Sequence, residues 1–150
     1  MALHESSRAR RATHGLTSPP LELRGVTVLV VDDEPETLGI VETVLDCAHA
    51  RVVTARSVEA ALTLLRTERP DIIVSDIDMP GCDGYQLMRM VRSRTAEEGG
   101  RTPAIALTGH TRALDQTRAF LAGYQFHLGK PIDAVTLLRA ISEITTTSRA

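Results

Sequence analysis

The chain has 150 residues, a formal net charge of −2 from 17 basic and 19 acidic side chains, and 3% aromatic residues without Trp. That length suits one domain, and the charge and aromatic content argue against nucleic-acid binding through basic grooves or base-stacking platforms. Two cysteines exclude a disulfide framework, no apolar run is long enough for a membrane span, and residues 1–20 lack a signal-peptide stretch, so the expected compartment is the cytoplasm.

Residues 1–25 set Arg8, Arg10, Arg11 and Arg24 against Glu5 and Glu22 and show no apolar periodicity, which reads as a flexible basic tail or linker. From Val26 to Val31 a near-continuous β-branched run predicts a strand covered on both faces. Leu38, Val41, Val44, Leu45 and Ala48 then recur at helical spacing after Pro35. Val52–Ala55 is a short second strand, and Ser57 offers an N-cap to a helix carrying Val58, Ala61, Leu62 and Leu65 that Pro70 stops. Ile72–Val74 is the third strand. Tyr85, Met88 and Val91 mark a helix ahead of the Glu97–Gly100 loop. Ala104–Leu107 is the fourth strand, Thr111–Leu121 a helix with the weakest apolar stripe, and Phe126–Leu128 the fifth strand. Asp133 caps a last helix whose inner face is expected to carry Val135, Leu138, Ile141 and Ile144. Cys47 reads as a small helical filler, Cys82 as an exposed loop thiol, and His49 as a surface residue.

Five strand–helix units imply right-handed crossovers and a parallel sheet with helices on both faces. The expected fold is an α/β three-layer sandwich with a flavodoxin-like five-stranded sheet in the order 2-1-3-4-5. It should occupy residues 26–145, with 146–150 as a C-terminal tail. On that frame Asp32 and Asp33 follow strand one, Asp76 ends strand three, Thr108 ends strand four and Lys130 follows strand five. All stand at the carboxyl ends of strands, where open α/β sheets bind ligands. Three carboxylates in one pocket cannot all stay ionised without a cation, and an all-oxygen loop site suits Mg²⁺. Lys130 is the only lysine of the chain, a compact charge able to neutralise a phosphoryl oxygen.

Val31-Asp32-Asp33-Glu34, Ser75-Asp76-Ile77-Asp78-Met79-Pro80-Gly81, Ala106-Leu107-Thr108-Gly109 and Lys130-Pro131 together resemble the receiver domain of bacterial two-component response regulators. The resemblance covers about Val26 to Ile144. It implies that Asp76 accepts a phosphoryl group from the phosphohistidine of a histidine kinase or phosphotransfer protein. It also implies that Asp33 and Asp76 ligate Mg²⁺ with the backbone carbonyl of Asp78, that Asp32 acts largely through water, and that Thr108 and Lys130 contact the bound phosphoryl group. Receivers usually carry Tyr or Phe three residues before the lysine; here His127 stands there, in a segment that looks like the receivers of hybrid sensor kinases. The switch pair is then expected to be Thr108 and His127. The segment Ser18–Gly25 resembles the linker ahead of such a receiver.

The implied role is signalling by protein–protein contact rather than turnover, with a second receiver or a separate output protein as partner and neither nucleic acid nor membrane. The residues after the last helix are too few for a helix-turn-helix output domain. Two other readings compete. Asp76-Ile77-Asp78 matches the D-x-D of haloacid-dehalogenase-like phosphohydrolases, but those carry it after their first strand and place the acidic pair downstream. A phosphorylation-independent interaction module is the other.

Overall fold

The computed structural model describes residues 21–109 and 113–149; the expected basic tail up to residue 20 and the expected start of the fourth helix at Thr111 lie outside the described residues. Strands β1 (Thr27–Val31), β2 (Arg51–Ala55), β3 (Ile72–Asp76), β4 (Ala104–Thr108) and β5 (Phe126–Gly129) form one parallel sheet in the order β2-β1-β3-β4-β5. Helices α1 (Pro35–Cys47), α2 (Val58–Glu68), α3 (Gly84–Arg92), α4 (Ala113–Ala122) and α5 (Ala134–Arg149) follow the strands in turn, with a 3₁₀ turn at Ala96–Glu98. This is the expected flavodoxin-like sandwich.

The period-2 alternation of each strand divides the core. Val28, Val30, Val74 and Ile105 face a layer holding Leu38, Val41 and Leu45 of α1 and Leu137 and Ile141 of α5. Leu29, Val31, Ile73 and Ala106 face the opposite layer, with Leu65 of α2, Leu87 and Met88 of α3 and Ala119 of α4. Because β1, β3 and β4 are covered on both sides, their sequences are apolar at nearly every position rather than at alternate ones. Helix starts are pinned locally. The Ser57 side chain accepts from the Ala60 amide at 3.1 Å, Asp83 and Gln86 form a reciprocal capping box, and Asp133 accepts from the Thr136 amide at 2.9 Å. The Lys130–Pro131 peptide is cis.

Four expectations need correction. Residues 146–149, expected as a C-terminal tail, are the last turn of α5, which runs to Arg149. The inner face of α5 is Leu137, Ala140, Ile141 and Ile144, while Val135 is 52% exposed and Leu138 only half-buried. Leu137 and Leu138 both fit a 3.6-residue template, and the stripe through Leu137, Ile141 and Ile144 is the one that meets the sheet. The cysteines exchange roles: Cys47 is exposed at the end of α1, and Cys82 is half-buried against the α2–α3 layer. The expected boundary at residue 26 is late. Leu23 is buried in the core, its amide donates to the Ala48 carbonyl at 2.7 Å, and Glu22 pairs with His49 and Arg24. Among the described residues no helix is long and apolar enough to cross a membrane.

Candidate phosphoryl site

All five strands point the same way, so the residues that end them share one edge of the sheet. β1 and β3 are neighbours there, and the chain leaves them in opposite directions, α1 packing on one face and α3 on the other. The crevice this opens is a cleft of about 630 Å³ lined by Asp33, Asp76, Asp78, Met79, Gly109 and Lys130, with Glu34 and Asp83 on its rim.

Asp32 and Asp76 are buried and Asp33 is half-buried, and one carboxylate oxygen from each lies within 4.8 Å of the others. Lys130 reaches in from the end of β5, its Nζ 3.1 Å from Asp76 Oδ1 and 3.5 Å from Asp32 Oδ2. Backbone amides complete the anion partners: Glu34 N donates to Asp32 Oδ1 at 2.9 Å, and Asp78 N to Asp76 Oδ1 at 3.3 Å. Burial pushes the Asp32 carboxyl above its ordinary range, against the pull of the Glu34 amide and Lys130. Burial and then the charge of Asp32 push Asp76 up as well. For Lys130 burial works downward, but the Asp76 hydrogen bond and the two carboxylate charges outweigh it, and the ammonium is held above its usual range. Three carboxylates and one ammonium leave negative charge uncompensated, with oxygen donors clustered at the spacing a small divalent cation needs.

Thr108 is buried at the end of β4, and its carbonyl accepts from the Lys130 amide at 2.8 Å. The five expected site residues Asp32, Asp33, Asp76, Asp78 and Lys130 thus converge, with Thr108 on the adjoining strand. His127 does not line the cleft. It pairs with Ala106, two residues below the Thr108–Gly129 pair and on the same face of the sheet, and its buried Nε2 has no hydrogen-bond partner among the described residues. α4, which lies over that face, buries Ala119 and turns Leu114, Phe120 and Leu121 outward at 79%, 69% and 77% exposure. Its Arg118 stacks on the buried ring of Tyr85, 4.1 Å from the centroid.

Three donors near the site were given no role by the sequence reading. Arg56 donates to the Asp33 carbonyl at 3.2 Å. Ser75 donates to the carbonyl of Asp76 at 2.9 Å, and the Tyr124 hydroxyl donates to the carbonyl of Gly84 at 2.8 Å. The only sequence signal for Tyr124 was its rarity, one of two tyrosines in a chain with 3% aromatics.

The receiver-domain family model, described as "Response regulator receiver domain", matches residues 28–142. A 14.6 kDa protein of Leptolyngbya boryana is 37% identical over 121 residues, 81% of this chain and 91% of that one. The sensor protein GacS of Pseudomonas syringae is 34% identical over 134 residues, which is 89% of this chain but 15% of GacS. Among solved structures, the receiver domain of a sensor histidine kinase from Pseudomonas aeruginosa, with a magnesium ion coordinated in its active-site cleft, is 30% identical with a TM-score of 0.73. It covers 81% of this chain and 98% of that one. Neither fold nor family match favours the phosphohydrolase reading, since the D-x-D follows β3 and the acidic pair precedes it. With the cleft, the strand order and the family model in agreement, the chain belongs to the response regulator receiver domains of two-component signalling.

Proposed function

We propose that Asp76 is the phosphoacceptor of this receiver, charged by the phosphohistidine of a histidine kinase or phosphotransfer protein. The observation that carries the reading is the contact of Asp76 Oδ1 with Lys130 Nζ at 3.1 Å, beside the carboxylates of Asp32 and Asp33. A carboxylate oxygen of Asp76 bonds to phosphorus as the P–N bond to the donor imidazole breaks, the electron pair leaving on the ring nitrogen; the product is an acyl phosphate. Such a transfer needs placement and charge neutralisation more than covalent help. Lys130 supplies one positive charge, the Thr108 hydroxyl a hydrogen bond to a phosphoryl oxygen, and the backbone amides after Asp76 further donors.

Asp33, Asp76 and the Asp78 carbonyl are the groups that would hold Mg²⁺, with Asp32 acting largely through water. The ion's contribution when bound is to offset negative charge between the carboxylates and the incoming phosphoryl group. The same groups assist hydrolysis of the acyl phosphate, which makes the domain a resettable switch in the cytoplasm.

The readout follows the strand that carries Lys130. Thr108 and His127 share one face, and Ala106 and Gly129 beside them are small, so the imidazole has room to follow the hydroxyl toward the site. A buried Nε2 with no hydrogen-bond partner among the described residues gives His127 a reason to leave its place. α4 lies over the same face with its large apolar side chains already outward, and supports binding of a separate output protein or a second receiver.

Incubation with acetyl phosphate and Mg²⁺, followed by intact-mass measurement, should add one phosphoryl group to the wild type and none to Asp76→Asn. Equal labelling of both would overturn the assignment.

A further inference from the structure

Beneath the charged cluster lies a second polar group set, uncharged and buried. Ser75 points to the same side of the sheet as its register partners Val31 and Ala106, and it is fully buried. Its hydroxyl donates to the backbone carbonyl of Asp76 at 2.9 Å. Tyr124 stands between α4 and β5, 2% exposed, and its hydroxyl donates to the Gly84 carbonyl at 2.8 Å.

Gly84 joins the two halves. A Cβ there would stand 2.5 Å from the Asp76 carbonyl oxygen, 2.8 Å from Ile77 Cα and 2.9 Å from the Tyr124 hydroxyl. The first turn of α3 therefore rests directly on the Asp76 peptide, and the Gly84 amide donates to Ile77 O at 2.9 Å. Tyr124 in turn receives no slack from its own end, because its amide donates to Ala119 O at the close of α4.

We propose that Tyr124 is a positioning residue for Asp76: its buried hydroxyl holds the Gly84 carbonyl, and with it the first turn of α3, against the same Asp76 peptide that the Ser75 hydroxyl binds, and so fixes the peptide from which the phosphoacceptor carboxylate projects. The inference rests on the reading of Asp76 as the phosphoacceptor. A phenylalanine would fill the same space in this apolar layer without the cost of burying a hydroxyl. The hydroxyl is instead spent on a backbone carbonyl at the start of α3, where it adds orientation. Tyr124 keeps its proton for that bond, because burial pushes its ionisation far above the ordinary tyrosine range. Orientation matters here because phosphoryl transfer depends on in-line placement, and small misplacements of a reacting group cost rate steeply.

The test uses the full chain as wild type, Tyr124→Phe, Ser75→Ala and Asp76→Asn, with phosphoramidate as donor and intact mass as readout. Mg²⁺ affinity is measured separately by calorimetry, and the folded fraction by circular dichroism. Tyr124→Phe should be folded at 25 °C and bind Mg²⁺ within about twofold of wild type, while its phosphorylation rate at saturating Mg²⁺ and donor falls about five- to tenfold. Ser75→Ala, which cuts the same network from the strand side, should show the same split. A wild-type limiting rate in Tyr124→Phe, whatever its melting temperature, overturns the proposal and leaves the tyrosine a packing residue. So does a rate loss that saturating Mg²⁺ abolishes. Failure of the wild type to be labelled, or labelling of Asp76→Asn, is a different result: it removes the phosphoacceptor reading and the inference with it.

Discussion

Asp33→Asn should stabilise the metal-free protein and lose that advantage when Mg²⁺ is added. Asp33 offers a carboxylate oxygen within 4.8 Å of those of Asp32 and Asp76, whereas the two ion pairs of Lys130 go to Asp32 and Asp76. At 4.8 Å one carboxylate pair repels by about 3.5 kcal/mol at an effective dielectric of 20, and by just under 1 kcal/mol in water. Asp33 is half-buried, so the lower part of that interval applies. Removing two such repulsions should stabilise by about 2 kcal/mol, a rise of roughly 4–8 °C in Tm for a domain of this size. Mg²⁺ at a hundredfold excess over its Kd stabilises a binding-competent chain by about 2.7 kcal/mol. The wild type should gain this, and Asp33→Asn, short of one ligand, much less. Thermal melts of both proteins in EDTA and across a Mg²⁺ titration measure the four states. The reasoning is refuted if Asp33→Asn melts no higher than wild type in EDTA, or if both gain equally from Mg²⁺.

Burial raises Asp32 and Asp76 above 3.8, so each contributes stability that is full below that value and is lost as pH rises through its folded pKa. The stability of metal-free Asp32→Asn relative to wild type should therefore grow as pH rises from about 4 in urea titrations, and a constant difference would count against it. Arg92 donates to three backbone carbonyls, Gly100, Thr102 and Gly123, and so clamps the end of α3 to the loops before β4 and β5. Arg92→Ala should cost about 3–4 kcal/mol and Arg92→Lys, which cannot span them, about 2 kcal/mol in urea unfolding; losses under 1 kcal/mol would show the carbonyls finding water instead. Gly84→Ala should destabilise by about 2–3 kcal/mol, because its Cβ meets backbone rather than a movable side chain, and an unchanged denaturation midpoint would mean that α3 shifts freely.

How far the sequence could be read depended on the kind of interaction. Val28–Val31 and Ile72–Val74 announced buried central strands because both their faces are covered, so every position is apolar. Asp32, Asp33, Asp76, Thr108 and Lys130 were legible because a parallel sheet delivers all its strand ends to one edge. α4 looked weak as a core helix for a real reason: Leu114, Phe120 and Leu121 are turned away from the sheet. Contacts decided by tertiary geometry were not legible. Tyr124 and Gly84 are 40 positions apart, and no periodicity links them. Leu23 sits in a segment too short to carry a pattern, yet it closes the core beside Ala48. On α5, the stripe was read through Val135 and Leu138, and only packing against the sheet shows that Leu137 is the inner residue.

Lys130 is the single ε-amine of the chain, since the other basic side chains are all arginine. Reductive methylation with isotope-labelled formaldehyde preserves a lysine's positive charge, and among the side chains of these 150 residues it would tag Lys130 alone. That one label would stand where the ammonium now contacts Asp76 and Asp32. The NMR signal of that side chain would then report directly on events at the carboxylates. Metal arrival, phosphoryl arrival and hydrolysis could be timed in one sample without mutating any residue of the site.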